Sequence, residues 1–132
     1  MNPILSIGEL ARLSGLSTHT LRFYEAEGLL STVRAANGHR RYRAEEVRWL
    51  EFVMRLKNTG MPLVQIKQYA QLRAEGDQTL AERLAILQQH RQSLQHQMQE
   101  LNLSANALDA KITFYQDAIE QQTQSGFTKG KK

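Results

Sequence analysis

A heptad pattern over about forty residues constrains the fold more than any other feature of the sequence. Its positions follow in steps of four and three: Leu80, Leu84, Leu87, Arg91, Leu94, Met98, Leu101, Ala105, Leu108, Ile112, Tyr115 and Ile119. The pattern predicts one long helix over residues 80–120, opened by a capping box at Thr79 and Glu82 and about 60 Å long at ~1.5 Å per residue. Because a lone helix would leave this seam in water, its large apolar members are the predicted contacts of a homodimer.

The polar residues of this helix leave two interpretations open. Arg91 is the only charged position of the seam, and it either fixes the register of the coiled coil or contacts an effector; the first is favoured. His90 and His96 are six residues apart and therefore face different sides, so they are predicted to be surface residues and not metal ligands. No metal site and no cofactor is predicted.

Basic charge is concentrated in the first half of the chain. Residues 1–75 hold eleven Lys or Arg against seven acidic residues, whereas residues 76–132 hold six of each. The decade 34–43 alone contains four arginines and no acid, against a net charge of +4 for the whole protein. This concentration indicates that the first half binds a polyanion.

Composition also excludes several classes of function. The chain has no cysteine, which rules out disulfides, thiolate metal sites and thiol redox sensing. The N-terminus lacks the features of a signal peptide and no segment reaches membrane-spanning length, so a cytoplasmic protein without a membrane partner is expected. Without a nucleophile paired to a base or a phosphate-binding Gly-rich loop, an enzyme is not expected.

Two short helices around a tight turn predict a helix-turn-helix near the N-terminus. Ser6 caps the first helix, Gly15 supplies the turn, Ser17 caps the second helix and Gly28 ends it. Asn37-Gly38 then favours a hairpin turn, which predicts a two-stranded β wing. A central buried helix from residue 44 to about 58 and a short helix after Pro62 complete a domain over residues 1–75. Residues 76–79 are predicted to be a linker and residues 121–132 a flexible tail.

The second helix and the wing contain the predicted DNA contacts. In a DNA-binding helix-turn-helix the early residues of the second helix reach base edges in the major groove, and here these are Thr18, His19, Thr20 and Arg22. Ser17, which precedes them, is also a predicted DNA contact. Arg22 could bind guanine or hold a phosphate. The hydroxyl of Tyr24 suits a phosphate, although the ring could instead be a half-buried core residue.

The alternative interpretation of the wing is that its charges simply face solvent, because charge runs usually form solvated surfaces. Four arginines without an anion would repel one another, and phosphate would supply the missing countercharge. The wing is therefore predicted to bind nucleic acid, with Arg34, Arg40 and Arg41 among its contacts.

Several linked motifs resemble those of the MerR family of bacterial transcription regulators. They are Ile7-Gly8-Glu9-Leu10-Ala11, Thr20-Leu21-Arg22-Phe23-Tyr24-Glu25, Gly28-Leu29-Leu30, Asn37-Gly38-His39-Arg40-Arg41-Tyr42 and Leu56-Lys57-Asn58-Thr59-Gly60-Met61. The resemblance implies a mainly α fold, with a winged helix-turn-helix domain, a small β wing and a long dimerisation helix in an antiparallel coiled coil. By the family pattern, the DNA contacts would be Arg22 and Tyr24 of the second helix, Lys57, and the wing residues Arg34, Asn37, Gly38, Arg40 and Tyr42. It also implies binding to a pseudo-palindromic promoter site, bending and untwisting of the spacer, and engagement of RNA polymerase.

Departures from the family pattern leave the input signal open. Metal-sensing members use cysteines that this chain lacks, and drug-binding members carry a large additional C-terminal domain. The sequence is most similar to the branch that responds to aldehydes and electrophiles, but Arg55 stands where that branch has its reactive cysteine. A small-molecule effector is therefore neither identified nor excluded. The alternative function is a nucleic-acid-binding structural or adaptor protein whose coiled coil serves assembly.

Overall fold

A computed structural model describes the backbone of residues 4–130 and the side chains as far as residue 125. The described chain is mainly helical, with three short strands. In chain order the elements are β1 (Ile4–Leu5), α1 (Ile7–Ser14), α2 (Thr18–Ala26), β2 (Val33–Arg34), β3 (Arg40–Arg43), α3 (Glu45–Asn58), α4 (Leu63–Glu75), a 3₁₀ turn (Asp77–Thr79) and α5 (Leu80–Gly130). The predicted fold class, a winged helix-turn-helix domain followed by a long helix, is confirmed.

The sheet has three strands, not the two predicted for the wing. Its order is β1-β3-β2 with antiparallel pairing, and Leu5 of β1 lies opposite Tyr42 of β3. On the other side of β3, Arg34 lies opposite Arg40. Strand β1 was not predicted because two residues are too few to show an alternating pattern. Its pairing ties the wing to the segment that leads into α1.

The hairpin turn uses one positive φ angle, not two. Gly38 has φ 82° and no non-glycine residue among those described has a positive φ, so Asn37 does not adopt the left-handed conformation. The Gly38 N–H donates to the carbonyl of Ala35 at 2.9 Å, and the Ala35 N–H donates to that of His39 at 3.0 Å. This is a three-residue loop closed by a left-handed glycine, and Asn37 contributes a side-chain acceptor for the His39 N–H at 3.1 Å.

The hydrophobic core lies between the helix-turn-helix and the helices that follow it. Leu10 and Leu21 from the first two helices meet Leu50, Val53 and Ile66 from α3 and α4, and all five are at most 2% exposed. Helix α3 is thus the central buried helix that the sequence predicts. The Trp49 ring of α3 stacks on the Tyr69 ring of α4, and the Arg73 guanidinium lies 4.2 Å from the centre of the Trp49 ring.

Contacts divide the chain into one unit that ends at His90 and another that begins at Arg91. The first unit is longer than the predicted domain of residues 1–75, because the first turns of α5 belong to it. Ile86 and Leu87 pack against the core, and the His90 ring lies 2.7 Å from the Thr59 hydroxyl. Leu87 was predicted to be a dimer contact, but in the structure its own chain covers part of it.

The predicted linker of residues 76–79 has a defined structure. It forms a 3₁₀ turn in which Thr79 is only 4% exposed and its hydroxyl lies 2.6 Å from the carbonyl oxygen of Leu72. The Arg83 side chain donates to the carbonyl of Gly76 at 3.0 Å. Gly76-Asp77 predicts a break in the chain, whereas these bonds connect α4 tightly to the start of α5.

Helix α5 extends to Gly130, so most of the predicted tail of residues 121–132 is helical. Residues 131 and 132 lie outside the described part of the chain. Gly126 and Gly130 favour a frayed tail in the sequence, but the helix continues through both positions. A glycine costs a helix interior about 1 kcal/mol relative to alanine, but it does not end a helix by itself.

The second unit leaves its apolar residues in solvent. Leu101, Leu108, Ile112 and Ile119 are each between 52% and 70% exposed, and Leu94 is half-buried. These residues repeat along α5 in the predicted heptad steps, so most of the seam between Arg91 and Ile119 has no intramolecular cover. A seam of this kind is stabilised by a second helix.

Candidate nucleic-acid interface

The turn of the helix-turn-helix sets the start of α2. Gly15 adopts φ 76°, and its N–H donates to the carbonyl of Ala11 at 2.9 Å, which ends α1 in a left-handed cap. Ser17 then caps α2 by accepting the Thr20 N–H at 3.1 Å, and its hydroxyl also contacts that of Thr20. The Ser17 side chain therefore positions the helix, and its predicted DNA contact competes with this role.

Most of the residues predicted to contact bases are accessible. Ser17, Thr18, His19 and Arg22 are exposed along the first turns of α2, and Thr20 is half-buried. A helix that enters the major groove needs an uncovered N-terminal half. The accessibility of these side chains fits that requirement.

Arg22 lies beside the wing. Its side chain lines a shallow cavity of about 200 Å³ together with His39, Arg40 and Arg41 of the wing, and Ser6 and Ile7 form the rest of the lining with Tyr42. Helix α2, the predicted recognition helix, and the predicted phosphate-binding wing therefore form one continuous cationic surface. Residues separated by almost twenty positions in the sequence are thereby brought together.

Lys57 lies on the other side of the recognition helix. A second cavity, of about 380 Å³, is lined by Lys57 together with His19 and Thr20 of α2. The remaining lining is apolar apart from Tyr24 and comes from α2, α3, the start of α4 and the segments that follow α2 and α3: Phe23, Leu29, Val53, Met61, Leu63 and Ile66. The family resemblance suggested Lys57 as a contact, and the fold places it next to the helix that would read the bases.

An anion is present within the wing surface, contrary to the sequence argument that the four arginines have no countercharge. The Arg40 guanidinium donates through Nη1 to Oε2 of Glu25, which lies on α2. Arg34 donates to the carbonyl of Gly38 at 3.0 Å, and Arg41 donates to that of Arg40 at 3.0 Å. Because Glu25 neutralises part of the wing, repulsion among the arginines is a weaker argument for a phosphate partner than it appeared.

Tyr42 was predicted to contact DNA, but the structure buries it within the domain. The side chain is 1% exposed, and its hydroxyl donates to Oε1 of Glu25 at 2.7 Å. Burial, followed by the bond to Glu25, raises the pKa of Tyr42 to about 12. The phenol therefore stays protonated and holds the β3 strand against α2, and little of it is available to a phosphate.

Tyr24 also packs inside the domain, as the alternative interpretation of its sequence position predicts. It is 5% exposed, and its hydroxyl donates to the sulfur of Met54 at 3.4 Å. The neighbouring Phe23 ring meets it edge-on at 5.9 Å between centroids. A core position explains Tyr24 without a DNA contact.

Glu46 is a buried acid outside this surface that the sequence analysis did not identify. It is 7% exposed in the first turn of α3, and its Oε2 has no hydrogen-bond partner among the described residues. Burial is the main cause that raises the pKa of Glu46, while Arg73 acts in the opposite direction. A glutamate in the first turn of a helix is normally a surface residue that interacts favourably with the helix dipole, so the burial of Glu46 could not be predicted from the sequence.

Neither a metal centre nor a membrane span is found in the described part of the chain. No group of three or more His, Asp or Glu side chains is placed to hold a metal ion there. Within residues 4–130, no helix combines the length and the apolar character that crossing a bilayer requires.

Comparison with known proteins supplies independent evidence. Residues 5–72 match the model of the MerR HTH family regulatory proteins, and residues 47–111 match that of the MerR DNA-binding region. An uncharacterised HTH-type transcriptional regulator of Haemophilus influenzae is 41% identical over 79% of this chain and 78% of its own length. The transcriptional regulator AdhR of Bacillus subtilis is 37% identical over 68% of this chain and 65% of its own.

Solved structures agree with the sequence matches. The structure of HiNmlR, a MerR family regulator lacking the sensor domain, bound to promoter DNA, superimposes with a TM-score of 0.76 and 37% identity over 88% of this chain and 93% of that one. A MerR family regulator from Listeria monocytogenes gives a TM-score of 0.86 at 29% identity, covering 97% of this chain and 99% of that one. The matched motifs, the winged helix-turn-helix and these relatives together show that the chain belongs to the MerR family of transcriptional regulators.

Proposed function

We propose that this protein binds a pseudo-palindromic promoter site as a homodimer and controls transcription by bending and untwisting the spacer between promoter elements. One observation carries the proposal: Arg22 of the recognition helix and Arg40 and Arg41 of the wing line the same concave surface. Such a surface can contact base edges and phosphates of one half-site at the same time. HiNmlR, which shares the fold, has been solved bound to promoter DNA.

The dimer follows from the exposed seam of α5. Two copies would cover the apolar residues that a single chain leaves in water, and two-fold symmetry would match the protein to a pseudo-palindrome. DNA that must be deformed to bring two half-sites into register stores an energy that depends on its sequence. The regulatory act would then be the change of promoter shape that RNA polymerase recognises, and the place of action would be the cytoplasm.

Within the proposed interface we assign different roles to the predicted contacts. Thr18, His19, Thr20 and Arg22 would face bases or adjacent phosphates, and Arg34, Asn37, Gly38, Arg40, Arg41 and Lys57 would bind the backbone. Ser17, Tyr24 and Tyr42 act mainly in positioning, since their hydroxyls are bonded within the domain. The protein would carry out no reaction of its own, in keeping with relatives that are transcriptional regulators.

The input to this regulator is a separate question. Arg55 occupies an exposed position near the end of α3, where the electrophile-responsive branch has its cysteine, so that thiol chemistry has no residue here. A thermal-shift screen that includes aldehydes and planar hydrophobic compounds would identify a non-covalent effector by a rise in melting temperature.

Footprinting distinguishes the proposed function from that of a structural or adaptor protein. A regulator should protect one pseudo-palindromic site between promoter elements and make the central spacer hypersensitive to cleavage, because the duplex is bent there. Uniform protection of DNA, without a preferred site, would instead support the adaptor function and overturn the proposal.

A further inference from the structure

Glu25 joins the recognition helix to the wing through a single carboxylate. Its Oε1 accepts the Tyr42 hydroxyl at 2.7 Å, and its Oε2 accepts Nη1 of Arg40. The donors are two residues apart on β3 and therefore share one face of the strand. The side chain of Glu25 is 16% exposed, so this junction is largely shielded from water.

The strands of the wing are too short to hold its orientation by pairing alone. Strand β2 has two residues and β3 has four, and β1 adds a pairing of only two residues. Sheets this small are marginal by themselves, so side-chain contacts to the helices determine how the wing is directed. Glu25 makes such a contact from the same helix that carries Arg22.

Arg40 can serve Glu25 and a phosphate simultaneously. Only Nη1 is engaged with the carboxylate, and 54% of the side chain is exposed. A guanidinium has five N–H donors, so its free edge can still donate to a phosphate oxygen. The carboxylate thereby restricts the positions from which Arg40 can reach the DNA backbone.

We propose that Glu25 is a specificity-determining positioning residue that acts through Arg40. Held by Glu25, Arg40 reaches a phosphate only when Arg22 and the rest of α2 are seated on the matching half-site. Released from Glu25, Arg40 follows phosphates on any duplex, since backbone contacts are independent of sequence. The inference rests on the proposed function, because it concerns discrimination between DNA sequences.

Glu27 provides a matched control next to the same helix. Its carboxylate pairs with Lys67 of α4 at 2.8 Å, and Glu27 is the residue that caps the end of α2. Glu25→Gln and Glu27→Gln change the net charge equally and each removes one ion pair. A carboxamide at position 25 still offers an oxygen to the Tyr42 hydroxyl, so Glu25→Gln acts mainly on the Arg40 pair.

The experiment measures dissociation constants for two duplexes over a range of salt concentrations. One is the duplex that the wild-type dimer selects from a random-sequence pool, and the other is a shuffled duplex of the same composition. Glu25→Gln should lower the ratio of selected to shuffled affinity by about tenfold, comparable to the effect of a typical mismatched base pair. Affinity for the shuffled duplex should stay constant or rise, and Glu27→Gln should leave the ratio within about twofold.

A double-mutant cycle with Arg40→Gln separates positioning from a general structural role. In the Arg40→Gln background, Glu25→Gln should change the ratio by less than about twofold, because the partner through which it acts is gone. A persistent tenfold effect in that background would overturn the proposal, as would equal effects of Glu25→Gln and Glu27→Gln. Should Glu25→Gln fail to fold, Arg40→Gln tests the exposed partner alone, and an unchanged ratio overturns the proposal.

Failure of this inference differs from failure of the proposed function. A wild-type protein that selects no preferred duplex contradicts the function itself, and the positioning role with it. A wild-type preference that survives Glu25→Gln contradicts only the role of Glu25.

Discussion

Arg22 shows how one residue gains a function from its surroundings. The sequence places it in the second helix of a helix-turn-helix, which leaves base and phosphate contacts equally open. The fold adds that it lies beside Arg40 and Arg41, on a shared concave surface. A guanidinium in this position can bind guanine with two parallel hydrogen bonds while the wing holds the backbone.

We expect Arg22→Ala to weaken operator binding by about 1–3 kcal/mol. A loss of base recognition should relax the preference at one position of each half-site, and gel-shift titrations against single-base operator variants would detect it. An equal reduction of affinity for all sequences would instead assign Arg22 to a phosphate.

The stability of the folded domain should depend on the protonation of a second residue, Glu46. Burial raises its pKa above the ordinary value of 4.5, so the folded state holds the proton more tightly than the unfolded state does. The stability associated with this group is therefore highest below pH 4.5 and falls as the pH rises through the raised pKa. Above that range the folded domain contains a carboxylate oxygen without a partner among the described residues.

Glu46→Gln should raise the melting temperature near pH 7, and the difference from wild type should shrink toward pH 4. Glu45→Gln is the matched control, because Glu45 is an exposed acid in the same first turn of α3. A lower melting temperature for Glu46→Gln at pH 7 would show that the carboxylate stabilises the domain in its ionised form.

At the scale of elements, the wing depends on pairing and on its contacts to α2. The alternation of Arg40, Arg41 and Tyr42 along β3 directs alternate side chains to opposite faces. Arg40 and Tyr42 meet Glu25 on one face, and the Arg41 side chain remains half-buried. A strand of four residues thus presents cations while being anchored by its own alternate positions.

Arg40→Ala should reduce the dependence of DNA binding on salt. Removing one cation that binds a phosphate lowers the slope of log affinity against log salt by about one. Arg48→Ala is a suitable control, since this arginine of α3 lines neither of the cavities beside α2. An unchanged slope for Arg40→Ala would mean that Glu25 alone, and no phosphate, uses this side chain.

At the scale of the whole molecule, the described second unit exposes an apolar seam, which a partner helix would cover and stabilise. The exposed apolar residues repeat at heptad spacing over several turns of α5. Arg91 occupies one position of the same seam, and its guanidinium donates to the side-chain oxygen of Gln95 on its own helix at 2.9 Å. This bond satisfies part of the guanidinium without an effector, which is compatible with a role in register.

Leu94→Asp should dissociate the dimer. An unpaired carboxylate in a closed seam costs about 3 kcal/mol or more, which corresponds to about a hundredfold rise in the dissociation constant. Sedimentation velocity over a concentration series would measure it, with Gln92→Asp as a control at an outward position of the same helix. An intact dimer for Leu94→Asp would show that the assigned seam is wrong.

Local patterns were sufficient to predict most of the elements and the general function. Capping at Ser6 and Ser17, the glycine turn and the heptad steps each act over a few residues, so the sequence reveals them directly. Strand β1 and the continuation of α5 beyond residue 120 were missed because their local signals are weak. The motifs also identified the family correctly, since they occur in order along the first half of the chain.

The sequence by itself determined the helix-turn-helix, the cationic wing and a helix that requires a partner, because periodicity and charge are properties of neighbouring residues. Tertiary structure decided which side chains those elements offer to DNA. Tyr24 is bonded to Met54, thirty residues away, and Arg40 and Tyr42 share Glu25, fifteen and seventeen residues away. Contacts over such separations depend on how the helices and the sheet pack, and no local pattern encodes them.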